Sequence, residues 1–253
     1  MSDIDRSEAQ KYILLTSSSA YFNEKANTLW DENSGLPGLL AATTGANFKY
    51  RYSPGSDSYY VTSTGRKVSD AQIRAAVDKV ATKVKRDMRE TTQQLISGVI
   101  LAAAWYLQMQ TLMSVLYKTM WTLAIGGFLF DDQTARNIFY YFVYRQFKWL
   151  DNYYDQVNNR SQPLNGTAMN RSGLYGEYAN SLYQNAVLDK KIKAKKMTEG
   201  KRILGKNENH CYNSQYRLGC IDLAQKGWLP IERITPIGEA TCYSNCHCYI
   251  IYR

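Results

Sequence analysis

Apolar residues recur at Ile73, Val77, Val80, Val84 and Met88, at steps of three and four, with Lys, Arg and Asp between them. That period is one face of an α-helix. Ser69 and Gln72 stand where a capping box would open it, and Gly98 where it would end, so a helix is expected over 69–97. The next segment, 101–125, is apolar on most faces and should be the most buried element. A third helix over 132–158 is expected behind the N-cap pair Asp131-Asp132, with Phe139, Phe142, Val143, Leu150, Tyr153 and Val157 on one side. Asn165-Gly166 reads as a loop, and a fourth helix over 172–197 turns Tyr175, Tyr178, Leu182 and Ala186 inward.

The pattern differs at both ends. Residues 1–67 alternate short apolar pieces with Ser, Thr, Gly and Pro clusters, as an arm does. Within them, 48–52 and 59–61 alternate aromatic and polar residues around Pro54-Gly55, which predicts a β-hairpin. After residue 200 come short apolar runs near 202–204, 227–231 and 249–252, separated by Gly and Pro, which look like small strands. The expected fold is α+β and mainly α. It comprises an arm with a hairpin (1–67), a helical body of about four helices (68–198) and a small Cys-rich, short-stranded C-terminal module (199–253). Leu95 to Phe130 carries only Lys118 as a charge, but polar residues break it short of the roughly 18 uninterrupted apolar positions of a membrane span. A buried helix is expected there, and no membrane partner. The polar start, Met1 to Arg6, has no signal-peptide pattern.

Composition adds two features. The chain has 21 tyrosines, and nine of the 17 residues from 138 to 154 are aromatic. That is more than one core stripe can use, so Tyr140, Tyr141 and Tyr144 are candidates for a partner interface. The net charge of +9 is concentrated between 183 and 206, which holds eight Lys/Arg against two acids. Lys190, Lys191, Lys193, Lys195 and Lys196 are candidate nucleic-acid contacts. The alternative is a helix terminus whose dipole favours cations.

All five cysteines lie between 211 and 248. With His210 and His247 they make seven candidate metal ligands: His210, Cys211, Cys220, Cys242, Cys246, His247 and Cys248. A tetrahedral zinc site needs four such ligands from converging loops, and the 210–220 and 242–248 loops can supply two each. The spacing is C-x8-C and C-x3-C-x-C, not paired C-x2-C, so zinc, one or two disulfides, and packed free thiols all stay open. No P-loop, Rossmann, nucleophile-elbow or zincin motif occurs, and the only histidines are 210 and 247, so no enzymatic activity is expected.

Cys220 to Ile231 with its Gly227-Trp228-Leu229-Pro230-Ile231 ending, then Pro236-Ile237-Gly238, then Asn245-Cys246-His247-Cys248 near the C-terminus, resembles the closing part of MuF-like minor head (head-morphogenesis) proteins of tailed bacteriophages. The likeness extends more loosely upstream to about residue 62. His247 stands where the family has Arg, and Cys211 and Cys220 are further apart than the family's compact His-Cys-x2-Cys element. The resemblance implies a non-enzymatic virion structural protein, synthesised in the host cytoplasm and carried in multiple copies per particle. It would be a minor head component contacting portal or inner capsid proteins, with the lysines near packaged DNA. A capsid-decorating or neck/connector protein is the alternative within the virion. A zinc-stabilised nucleic-acid-binding protein is the alternative outside that class.

Overall fold

The computed structural model describes residues 50–253, apart from 54, 62, 126–132, 206–209, 216 and 244–245. The expected arm before residue 50 and the Asp131-Asp132 cap lie outside the described residues. The rest is mainly helical with two small sheets, as the residue pattern predicts. Four long helices, α1 (Asp70–Ile96), α2 (Ala102–Ile125), α3 (Gln133–Asn158) and α4 (Gly166–Ala194), pack on one another. Among the described residues no helix is long and apolar enough to cross a membrane.

The capping box forms: Gln72 N donates to Ser69 Oγ at 3.2 Å, and Ser69 N donates to Gln72 Oε1 at 2.9 Å. At the other end of α1, Gly98 N and Val99 N donate back to the carbonyls of Leu95 and Gln94, and Gly98 holds φ +72. This is a Schellman-type stop. Ile73, Val77, Val80, Val84 and Met88 are all buried, as are the inward residues expected on α3 and α4. On α2, Trp105, Met109, Met113, Leu116, Tyr117, Met120 and Trp121 have no exposed surface, which is why that segment reads as apolar on most faces. Lys118 is buried with them, and burial brings its ammonium down to about 8. Interhelical polar contacts complete the core: Trp105 Nε1 donates to Thr92 Oγ1 at 2.9 Å, and Tyr117 Oη donates to the Tyr175 carbonyl at 3.0 Å.

Helix α4 starts six residues earlier than its pattern predicts. The Asn165 side chain accepts Thr167 N–H at 2.9 Å, so the Asn-Gly pair is a cap and not a free loop. Its C-terminal end comes at Ala194, with Lys195 left-handed at φ 50.

Strands β1 (Tyr50–Ser53) and β2 (Ser58–Val61) form the expected hairpin, joined by a short β3 (Lys67–Val68) that periodicity could not reveal in two residues. The second sheet has order β5-β4-β6, with β4 (Glu199–Ile203) between β5 (Leu229–Pro230) and β6 (Tyr249–Tyr252), antiparallel to both. A six-residue helix, α5 (Cys220–Gln225), and a 3-10 turn at Ile231–Arg233 complete this region. Both are too short for a helical period to be legible. The buried apolar residues form two clusters. The larger runs from Tyr59 to Ala186, and the smaller joins Leu188 of α4 to Cys220, Leu223, Ile231, Ile234, Ile237, Ala240, Cys246, Cys248 and Ile250. Helix α4 therefore serves both.

Candidate metal centre

The smaller cluster is organised around sulfur. Cys220 opens α5, Cys246 and Cys248 lie just before β6, and Cys242 follows the turn after Gly238. Cys220 Sγ lies 3.4 Å from Cys242 Sγ and 3.6 Å from Cys246 Sγ. The sulfurs of Cys220, Cys246 and Cys248 lie within 4.8 Å of one another, as do those of Cys211, Cys220 and Cys242. All five are free thiols, and Cys220, Cys246 and Cys248 are buried.

Two glycines let the backbone come this close. A Cβ on Gly219 would stand 2.3 Å from the Cys211 carbonyl oxygen, and one on Gly205 would stand 2.2 Å from that of His247. Any side chain at either place would push the facing backbone segments apart. Residues of α4 then hold the closing segment from the other side. Asn180 Nδ2 donates to the carbonyls of Cys246 and Cys248 at 2.9 and 3.1 Å. Asn185 and Ile237 exchange two bonds, Nδ2 to the Ile237 carbonyl at 2.9 Å and Ile237 N to Oδ1 at 3.0 Å.

Arg202 of β4 reaches into the sulfurs. Its side chain is buried, with Nη1 at 3.7 Å from both Cys220 Sγ and Cys246 Sγ and Nη2 donating to the carbonyls of Thr235 and Pro236 at 2.7 and 3.2 Å. Contacts with the Cys220 sulfur first, then with those of Cys242 and Cys248, and the Arg202 guanidinium alongside hold the Cys246 thiol below its ordinary value. Cys220 is pushed the opposite way, first by Cys242.

This donor set can hold a metal ion. Four sulfurs at the usual zinc–thiolate bond length of about 2.3 Å stand about 3.8 Å apart in a tetrahedron, close to the separations present here. A disulfide needs about 2.05 Å.

Of the seven ligand candidates, the five cysteines come together and the two histidines do not belong to either converging group. His247 is exposed, with Nε2 3.7 Å from Glu177 Oε2. Main-chain alternation explains this: Cys246 and Cys248 face inward, so residue 247 faces out.

The candidate lysines fare unevenly. Lys190 Nζ donates to the Ala124 carbonyl at 2.8 Å and lies 3.8 Å from the centre of the Tyr52 ring. Lys191 pairs with Asp57, Lys193 Nζ lies 2.6 Å from Asp189 Oδ2, and Lys196 donates to the Gly55 carbonyl. Only Lys195 and Lys196 of the five are exposed. The basic run therefore serves largely to fasten the hairpin to α4.

On α3, Tyr141 is exposed and stacks edge-on against Phe142, with the Arg145 guanidinium 5.9 Å from its ring, while Tyr144 is half-buried under Lys148. The side chain of Tyr140 lies outside the described residues.

Arg202, Asn180 and Asn185 are the site residues that sequence reasoning passed over. A signal existed for Asn185, which sits among the buried positions of a helix. Arg202 alternates with Lys201 and Ile203 on β4 and takes the buried face with Gly200. No family model matches the chain, and no curated protein or solved structure is similar to it.

Proposed function

We propose that this chain is a non-enzymatic bacteriophage virion protein, a minor head component that contacts portal or inner capsid proteins and is present in multiple copies per particle. The observation that carries the reading is where the family-like residues go. Cys220, Ile231, Ile237, Cys246 and Cys248, scattered over the last 34 residues, all enter one buried cluster. The stretch that resembles the phage proteins is thus one built unit seated on α4, suited to a rigid knob on a helical body. Zinc is the ion we assign to its sulfurs, since an all-thiolate tetrahedral set favours it. Tyr141 and Tyr144 are the proposed docking residues. Lys195 and Lys196 are the exposed lysines that could face packaged DNA, and with Lys190, Lys191, Lys193 and Lys196 all engaged within the fold the run favours a virion role over the nucleic-acid-binding alternative.

Particles produced without this chain test the proposal. Defective assembly or lost infectivity is expected; fully infectious particles lacking it would overturn the role.

A further inference from the structure

Arg202 is a buried cation whose hydrogen-bond partners are two neutral carbonyls and two sulfurs. A guanidinium at 3 % exposure is costly without a countercharge. Carbonyl dipoles reduce that cost and carry no net charge, so the sulfurs are where the countercharge has to reside. Metal-bound cysteine is thiolate, and four thiolates on a divalent ion leave two excess negative charges. A neighbouring guanidinium offsets one of them.

We propose that Cys220, Cys242, Cys246 and Cys248 form a tetrathiolate centre for one zinc ion and that Arg202 is its positioning residue, an outer-sphere donor to Cys220 and Cys246 that holds their sulfurs and offsets charge. This rests on the zinc assignment above. Cys220, Cys246 and Cys248 form one converging group. Cys242 is the fourth because its sulfur lies 3.4 Å from Cys220 and its thiol also interacts with Cys246. Cys211 groups with Cys220 and Cys242 and not with Cys246 or Cys248, and Cys246 interacts with Cys242 and not with Cys211, so Cys211 stays outside the set. The fold supports such an order: β4 brings Arg202, α5 brings Cys220, and the closing segment brings the other sulfurs to them. Arg202 then has a different value in the two states. With metal it offsets charge fixed on the four sulfurs by the ion, and without metal only its contacts to the sulfurs and to the Thr235 and Pro236 carbonyls remain.

The test uses the isolated full chain, loaded with Zn2+ or Co2+ and compared with its metal-stripped form. Metal content, affinity by chelator competition, the cobalt–thiolate spectrum and thermal unfolding are read for the wild type, Arg202→Met, Arg202→Lys, Cys211→Ser and Cys242→Ser. Wild type should hold about one zinc per chain with a tetrahedral all-thiolate cobalt spectrum. Arg202→Met should weaken zinc binding by about tenfold or more, as loss of outer-shell partners does, and Arg202→Lys should recover part of it. Arg202→Met should lower the unfolding temperature of the zinc-loaded form more than that of the metal-stripped form, whereas a merely structural arginine would cost the same in both. Cys211→Ser should keep the metal and Cys242→Ser should lose affinity. A wild type that binds neither ion defeats the zinc assignment itself. Zinc bound equally well by Arg202→Met, or equal destabilisation with and without metal, defeats the role of Arg202 alone. Loss of metal in Cys211→Ser overturns the ligand set. None of these outcomes depends on incorporation into a particle, so the virion reading stands or falls separately.

Discussion

Replacing Asn185 by Ala should weaken the hold of α4 on the C-terminal cluster. The Asn185 amide both donates to the Ile237 carbonyl at 2.9 Å and accepts its N–H at 3.0 Å, and both residues are buried. Truncation leaves one backbone donor and one acceptor without partners, at about 1–3 kcal/mol for each. Water entering the vacated volume moderates the sum, so about 3 kcal/mol is expected. That is a large share of the roughly 5–15 kcal/mol by which a domain is stable. Urea unfolding followed by far-UV circular dichroism measures it, as a lower midpoint at unchanged slope. Asn185→Asp should do no better, because it keeps the acceptor for Ile237 N–H, loses the donor and buries a charge. A loss below about 1 kcal/mol for Asn185→Ala would show that this paired contact does not hold the cluster in place.

Other expectations follow from the same contacts. Tyr141→Ala with Tyr144→Ala should lower incorporation into particles while the circular dichroism spectrum is retained, since anchoring aromatics cost on the order of 2 kcal/mol each at an interface; wild-type incorporation would remove them from the docking surface. Burial raises the Asp57 carboxyl, but bonds from Lys191 and Tyr52 outweigh it and hold the group below its ordinary 3.8. Its contribution to stability is therefore complete above pH 3.8 and fades as pH falls through the lower folded value, so the deficit of Asp57→Asn in thermal unfolding should shrink with acidification below that point. Lys195→Gln with Lys196→Gln should change stability by no more than about 0.5 kcal/mol, as exposed substitutions do, whereas Lys190→Met, which removes a donor from the Ala124 carbonyl, should cost about 1–2 kcal/mol by urea unfolding.

Much of this architecture is legible in the residue pattern. Long elements announce themselves because a buried face repeats over many turns: Ile73 to Met88 marks α1, and the continuous apolarity of 101–125 marks the central helix. The convergence of the 210–220 and 242–248 loops was legible too, since all five cysteines fall in those two short stretches of one small unit. What stayed hidden is short or non-local. Helix α5 has six residues and no side-chain cap, so nothing periodic marks it. The Asn165-Gly166 pair looks the same whether it turns the chain or caps a helix, and only the Thr167 N–H decides. Arg202 belongs by composition to a basic run and by strand alternation to a buried face, and the sulfurs that make the burial sensible are 18 and 44 residues away in sequence. The same holds for Lys190 and Lys191, whose partners Ala124 and Asp57 come from distant segments.

The virion assignment is the claim with the widest consequence, and quantitative mass spectrometry of gradient-purified, DNA-filled particles tests it most directly. This chain should cosediment with the particles and resist removal by washing. It should be present in multiple copies and yet be sparse relative to the major shell protein, as befits a minor head component. Particles free of the chain, with all of it in the soluble fraction, would contradict the account; abundance comparable to the shell protein would instead place it among the decorating proteins.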